Sequence, residues 1–276
     1  MTQPLLEVKN ISVEFKTRRG TLKAVDDLSI DVKPGEILGL VIGSDAPIFG
    51  LDVAVQKART ATFFSSELAA TYLVGLNRDE ISDYVQRVRV FLNDPQALTG
   101  QHAFSDRAGG NLSRPYFPDG ELGRPHGPLS RPITEWSPFA TGLQESLVRP
   151  EVVKHLGFVD GASDNGAANE CVGLSNEGGD IHLLGNGIQI FPGSVPIYRG
   201  STLIGGIGVS GDGVDQDDMI AFLSVHLAGE ASGTFGNAPK EIRADTIEVD
   251  NVRLRYISCP FNPFLDESEQ EVCNGK

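Results

Sequence analysis

Extended segments in this chain come in pairs, and the pairs are followed by helices. Residues 6–15, 22–32 and 36–42 are rich in β-branched and apolar residues and are separated by Arg-Arg-Gly and Lys-Pro-Gly turns. Residues 195–210 read as two more strands about an Arg199-Gly200-Ser201 turn. Strands joined by a tight turn pair antiparallel, whereas parallel strands need a long crossover. The order strand, strand, helix, insertion, strand, strand, helix therefore predicts an α/β fold with a mostly antiparallel sheet, and argues against alternating βαβ units. Within it, residues 29–41 predict a hairpin through Lys33-Pro34-Gly35, in register with strands 195–210.

Three helices carry a readable face. In residues 51–64, Leu51, Ala54, Val55, Ala58, Ala61 and Thr62 form one stripe whose small residues would let the helix lie close against a sheet. A second helix is predicted over 80–92, with Ile81, Tyr84, Val85, Val88 and Leu92 on one face, Asn77 as N-cap and Pro95 beyond its end. A third is predicted over 215–227, stopped by Gly229, ahead of a hairpin of 246–249 and 252–257 about Asp250-Asn251. Between 95 and 187 the periodicity fades. Glycine and proline recur there together with aromatic residues, which predicts an ordered, loop-rich insertion with a short helix around 142–156 that contains Pro150. The expected division is a strand segment over 1–34, a domain over 35–230 interrupted by the insertion 95–187, and a hairpin and cysteine-containing tail over 231–276.

A length of 276 residues is enough to bury a sizeable core, and 40% hydrophobic residues exclude a wholly disordered chain. The formal net charge of -14 repels nucleic acid and anionic membranes, so neither is an expected partner. No run approaches the roughly 20 apolar residues of a membrane helix, and residues 1–7 lack the basic start and apolar middle of a secretory signal. A cytoplasmic location is the expectation. Cys259 and Cys273 flank a proline-containing tail that a disulfide would staple, with two reduced thiols as the alternative and Cys171 left over.

Residues 6–15 and 22–41 resemble the opening strands of an oligopeptide-type ABC transporter ATPase. A phosphate-binding loop, G-x-x-x-x-G-K-[ST], should follow. Counting from Gly43 puts Ile48 and Phe49 where the second glycine and the lysine belong, and the next lysine is Lys57. No LSGGQ-like stretch follows either, so ATP hydrolysis is not expected. Beyond this point, residues 45–64 and 192–218 resemble the haem-binding HbpS and GlcG-like family. The resemblance extends through Asn111-Leu-Ser-Arg-Pro115 and the tail to cover residues 44–276. It implies a profilin-like sheet flanked by helices, assembly into homo-oligomers, haem or a similar tetrapyrrole as ligand, and relatives that are exported. The family's first helix is replaced by the ABC-like text, and the join near Val41 to Ser44 reads as a recombined reading frame. The strand 35–41 would serve in either family.

The densest polar group is the loop from Ser210 to Asp218. Asp215, Asp217 and Asp218 sit at a helix start, where carboxylates cap N–H groups and meet the favourable end of the dipole. The alternative is a ligand rim in which Gly206, Gly208 and Gly211 leave room for a flat ligand. The spacing of Asp212, Asp215 and Asp217 does not match a calcium loop. Lys57 and Arg59 either pair with haem propionates or face water. Haem iron takes His, Met, Tyr or Cys, but His102, His126, His155, His182 and His226 are scattered, and His226 stands out only by sharing a helix with the Asp-rich loop. No catalytic nucleophile with a His partner is legible. The expectation is a haem-binding or sensing module without a reaction of its own, haem degradation resting on the resemblance alone. A structural oligomer-forming module and a truncated ABC subunit are the alternatives.

Overall fold

The computed structural model describes residues 6–17, 20–32, 38–41, 50–137, 141–162, 184, 187–211, 213–261 and 268–276. The join itself, the Lys33-Pro34-Gly35 turn, Cys171, His182 and Asp212 lie outside the described residues. Strands β1 (Leu6–Thr17) and β2 (Gly20–Val32) pair antiparallel as a sheet of their own. The main sheet contains β3 (Leu38–Val41), β4 (Ser194–Arg199), β5 (Thr202–Ser210) and β6 (Gly236–Asn237), in the order β3-β5-β4-β6. Strands β5, β4 and β6 are antiparallel; the tight β4–β5 turn predicts that pair, whereas β6 joins β4 only after β5 and α6.

The predicted hairpin of residues 29–41 does not form. β2 takes β1 as its partner, from Leu6↔Val32 to Thr17↔Gly20, and β3 instead runs parallel to β5, from Leu38↔Ile207 to Val41↔Ser210. Two long segments separated by two residues close a small loop at low entropic cost, which gives β2 its neighbour in sequence. The parallel pairing of β3 is made possible by the long crossover before β5. That crossover begins with α1 (Gly50–Phe64), whose Ala54, Ala58 and Ala61 are fully buried, as the small-residue stripe predicts.

Two glycines of β5 set how closely α1 approaches. A Cβ on Gly208 would fall inside the Ala54 carbonyl oxygen, and one on Gly206 would lie 2.6 Å from Thr62 Cγ2 and 3.0 Å from the Ala58 oxygen. Both glycines are thus occupied by the helix. Gly205, which precedes them in β5, has nothing within 4 Å of such an atom.

Helices α2 (Ala69–Gly75) and α3 (Asp79–Phe91) follow, with Leu73, Ile81, Val85 and Val88 in the core. Asn77 does not cap α3: it adopts φ 52°, and Arg78 is the N-cap residue. The insertion is ordered where described. α4 (Asp106–Leu112) starts at Ser105, whose hydroxyl accepts from Ala108 N and donates to the Tyr256 carbonyl. Asn111 donates to the Pro118 carbonyl and to Asp119, and accepts from Arg255 N at 2.9 Å, so the insertion is tied to the tail. α5 (Gly142–Val159) runs past Pro150, which lies in its exposed half.

Helix α6 (Val214–Ser232) continues beyond Gly229 to Gly233, which is left-handed at φ 64°. Gly229 is required for a different reason, since a Cβ there would meet the Phe235 carbonyl at 2.5 Å. The last hairpin is short, β7 (Glu248–Val249) and β8 (Val252–Arg253), turned by Asp250 and Asn251 at φ 51° and 60°. Cys259 and Cys273 form a disulfide, and Leu254, Tyr256 and Val272 enter the same core as Phe222 of α6.

The close approach of α1 makes the two glycine positions unequal. Gly208→Ala should cost about 3 kcal/mol, because backbone must move to admit the methyl group, while Gly205→Ala should change stability by less than about 1 kcal/mol. Urea denaturation of the two variants measures this, and equal midpoints would show that α1 does not rest on β5 as described.

Candidate functional site

Two features bring sequence-predicted residues together. The first is a buried ionic network. Lys57, in the middle of α1, is 2% exposed, and its ammonium donates to the Val209 carbonyl and to Asp217 Oδ2, both at 2.8 Å. It therefore neither faces water nor is presented to a ligand. Gly193, at φ 132°, leaves the space for this: a Cβ there would sit 2.7 Å from the Lys57 nitrogen and 2.8 Å from Asp217 Cβ.

Beside that pair, Arg107 of α4 donates from Nε to Asp218 and from Nη2 to Asp215 at 2.6 Å. Burial alone would lower the Arg107 pKa, but Asp218 and Asp215 outweigh it and raise it. Asp218 also accepts from Ser258 N at 3.0 Å, which ties the α6 start to the tail. Burial pushes the Asp218 carboxyl up to about 6, although Arg107 and the backbone donors pull it down. The acidic start of α6 thus serves buried cations from α1 and α4.

Asp106 is the outlying member. It is fully buried, with neither carboxyl oxygen in a hydrogen bond of normal geometry, and the Ser194 hydroxyl is a polar neighbour. Burial raises its pKa well above the usual carboxylate range; Lys57 and Ser194 oppose the shift and Asp218 adds to it. Sequence reading missed Asp106 and Arg107, because they lie in the aperiodic insertion and only the fold brings them to α6. The one local signal is Ser105, a helix N-cap. Among the described residues, no group of three or more His, Cys, Asp or Glu could hold a metal ion.

The second feature is a shallow apolar groove of about 480 Å³ between α1 and α2, walled by Phe63, Leu68, Tyr72 and Leu203, with Thr62 at its side. Arg59 lines it and is itself 6% exposed. Burial lowers the Arg59 pKa, and the neighbouring Tyr72 opposes that shift. Phe63 and Tyr72 meet edge to face at 5.6 Å. Gly206 lies beneath, against Thr62. The remaining predicted residues stand apart. Gly211 is exposed at the end of β5, Asp215 is held by Arg107, and His226 lies along α6 with Nε2 3.5 Å from Glu230.

Residues 160–225, which include β4, β5 and the first part of α6, match the family model described as haem degrading protein HbpS-like. The N-terminal region matches ATP-binding proteins of peptide transporters. The oligopeptide transport ATP-binding protein OppF of Bacillus subtilis is 61% identical over 41 residues, 15% of this chain and 13% of OppF. The peptide transport system ATP-binding protein SapD of Salmonella typhimurium is 53% identical over 38 residues, 14% of this chain and 12% of SapD. The dipeptide transport ATP-binding protein DppF of Lactococcus lactis is 29% identical over 112 residues, 38% of this chain and 36% of DppF. The chain thus spans about an eighth of the first two relatives and about a third of DppF. No solved structure matches it. Both resemblances are supported, the ABC-like one in the N-terminal region and the HbpS-like one over residues 160–225.

The raised carboxyls give the network a defined pH dependence. A protonated aspartate is buried without charge, so Asp106 contributes stability that is present below the unfolded value of about 4 and is lost as pH rises through its folded pKa. Asp218 acts in the same direction, its loss running from about 4 and complete above about 6. Asp106→Asn should remove its share. The stability of the variant relative to the parent should therefore increase from pH 4 upwards, as read from urea midpoints. A constant difference across that range would mean that Asp106 ionises in the fold at no cost.

Proposed function

We propose that this protein binds haem or a similar tetrapyrrole in the groove of Arg59 and Tyr72, as a binding or sensing module without a reaction of its own. The observation that carries this reading is a buried guanidinium set into an otherwise apolar groove. A planar apolar molecule bearing carboxylates matches both in kind, its face by apolar burial and a propionate by charge. The match of residues 160–225 to a haem-degrading family supports the same ligand class. Tyr72 has the only iron-ligating side chain among the described groove residues, and tyrosine is a known haem ligand. When bound, haem would supply the redox and oxygen chemistry; Arg59 would orient it and Phe63 and Leu203 would shield one face.

In this reading Lys57, Gly206 and Gly208 hold α1 in place, Asp215 serves Arg107 of α4, and Gly211 and His226 take no part in the groove. The ABC-like residues supply strands, with 1–34 as an accessory segment, 35–230 as the binding domain and 231–276 as its stapled tail. Homo-oligomerisation remains part of the proposal. No described helix is long and apolar enough to cross a membrane. The Cys259–Cys273 disulfide favours an oxidising compartment over the cytoplasm.

Titration with hemin should give a saturable Soret shift. Thr71→Trp, at an exposed position on the groove wall, should weaken binding at least tenfold without unfolding the protein, and Tyr72→Phe should alter the spectrum of the bound form. Absence of a saturable shift in the parent protein, or an unchanged affinity in Thr71→Trp, would refute the groove as the haem site.

A further inference from the structure

A second cavity, of about 800 Å³, opens between the turns at residues 240–246, strand β8 and the tail segment at 271–276. Five cations line it, Lys240, Arg243, Arg253, Arg255 and Lys276, against the two carboxylates Asp245 and Glu271. The chain as a whole carries 23 Lys and Arg against 37 Asp and Glu, so this excess of positive charge runs counter to the rest of the protein.

Arg243 is the best-seated of the five. Its guanidinium lies over the rings of Phe222 and Tyr256, at 5.1 and 5.5 Å. Its Nε donates to the Ala238 carbonyl at 2.8 Å, and both Nη atoms donate to the Lys276 main-chain oxygen at 3.3 Å. Those bonds engage three of five N–H groups and fix the plane, leaving one hydrogen on each Nη outside the contacts among described residues. A rigid guanidinium is suited to bidentate recognition of an oxyanion. Arg255 is partly neutralised by Asp119 at 3.2 Å, whereas Lys240 and Arg253 are exposed at the mouth. Both disulfide cysteines lie in the wall, so the staple holds the two sides together.

We infer that this cavity binds a small multivalent oxyanion, bearing phosphate or carboxylate groups, between Arg243 and the side chains of Lys240 and Arg253. Several cations in one concave site give an affinity that falls as salt screens them.

Calorimetric titration of the full chain with inorganic pyrophosphate at low ionic strength should show one saturable site that weakens with added salt. Exchanging both exposed cations, Lys240→Ser with Arg253→Ser, should weaken it at least tenfold, because neither side chain belongs to the core. Arg124→Ser, a surface cation outside the cavity, should leave it unchanged. Displacement of pyrophosphate by citrate assigns the site to carboxylates, and failure of citrate to displace it assigns the site to phosphates; either supports the inference. No saturable binding, or equal binding by the double variant, would overturn it.

Discussion

The ammonium of Lys57 is the point on which the arrangement of the sheet and its helices depends. It sits on α1, bonds to the backbone of β5 and closes on the carboxylate of α6, so one buried charge fixes three elements. Such a pair is a weak source of net stability, because desolvation offsets most of the attraction, but neither charge tolerates loss of its partner. Its effect is specificity of position. α1 can sit here only because Gly206 and Gly208 admit it and because Gly193 leaves room for the ammonium. The groove of Arg59, on the next part of the same helix, inherits that placement.

Elements governed by local periodicity were legible in the sequence. The small-residue stripe of α1, the β4–β5 hairpin and the apolar face of α3 all follow from spacing alone. Partner choice did not, because β-propensity says that a segment is extended and nothing about its neighbour. That is why β2 was expected beside β3 and instead took β1. Helix ends failed for a related reason. Gly229 and Asn77 are residue types that stop or cap helices, but one is used for close packing under Phe235 and the other for a left-handed turn.

Among candidate site residues, the acidic start of α6 was visible, but its partners were not. Capping by Asp217 and Asp218 was the local expectation, and their carboxylates go instead to cations 160 and 111 residues away. Arg107 and Asp106 carry no pattern of their own, so only the folded chain reveals them. The N-terminal region and residues 160–225 match different families, yet β3, from the ABC-like side of the join, lies in the same sheet as β4 and β5 from the matched segment. A four-residue strand needs only extended backbone and apolar character, which text from either family supplies.

The central claim is that the Lys57–Asp217 pair is coupled across the fold. A double-mutant cycle with Lys57→Met, Asp217→Leu and the combined variant measures this directly by equilibrium unfolding at pH 7. Each single change should destabilise by about 3–5 kcal/mol, and the combined variant should lose about 2–3 kcal/mol less than the sum of the two, that difference being the coupling. Additive losses, with coupling below about 0.5 kcal/mol, would contradict the account.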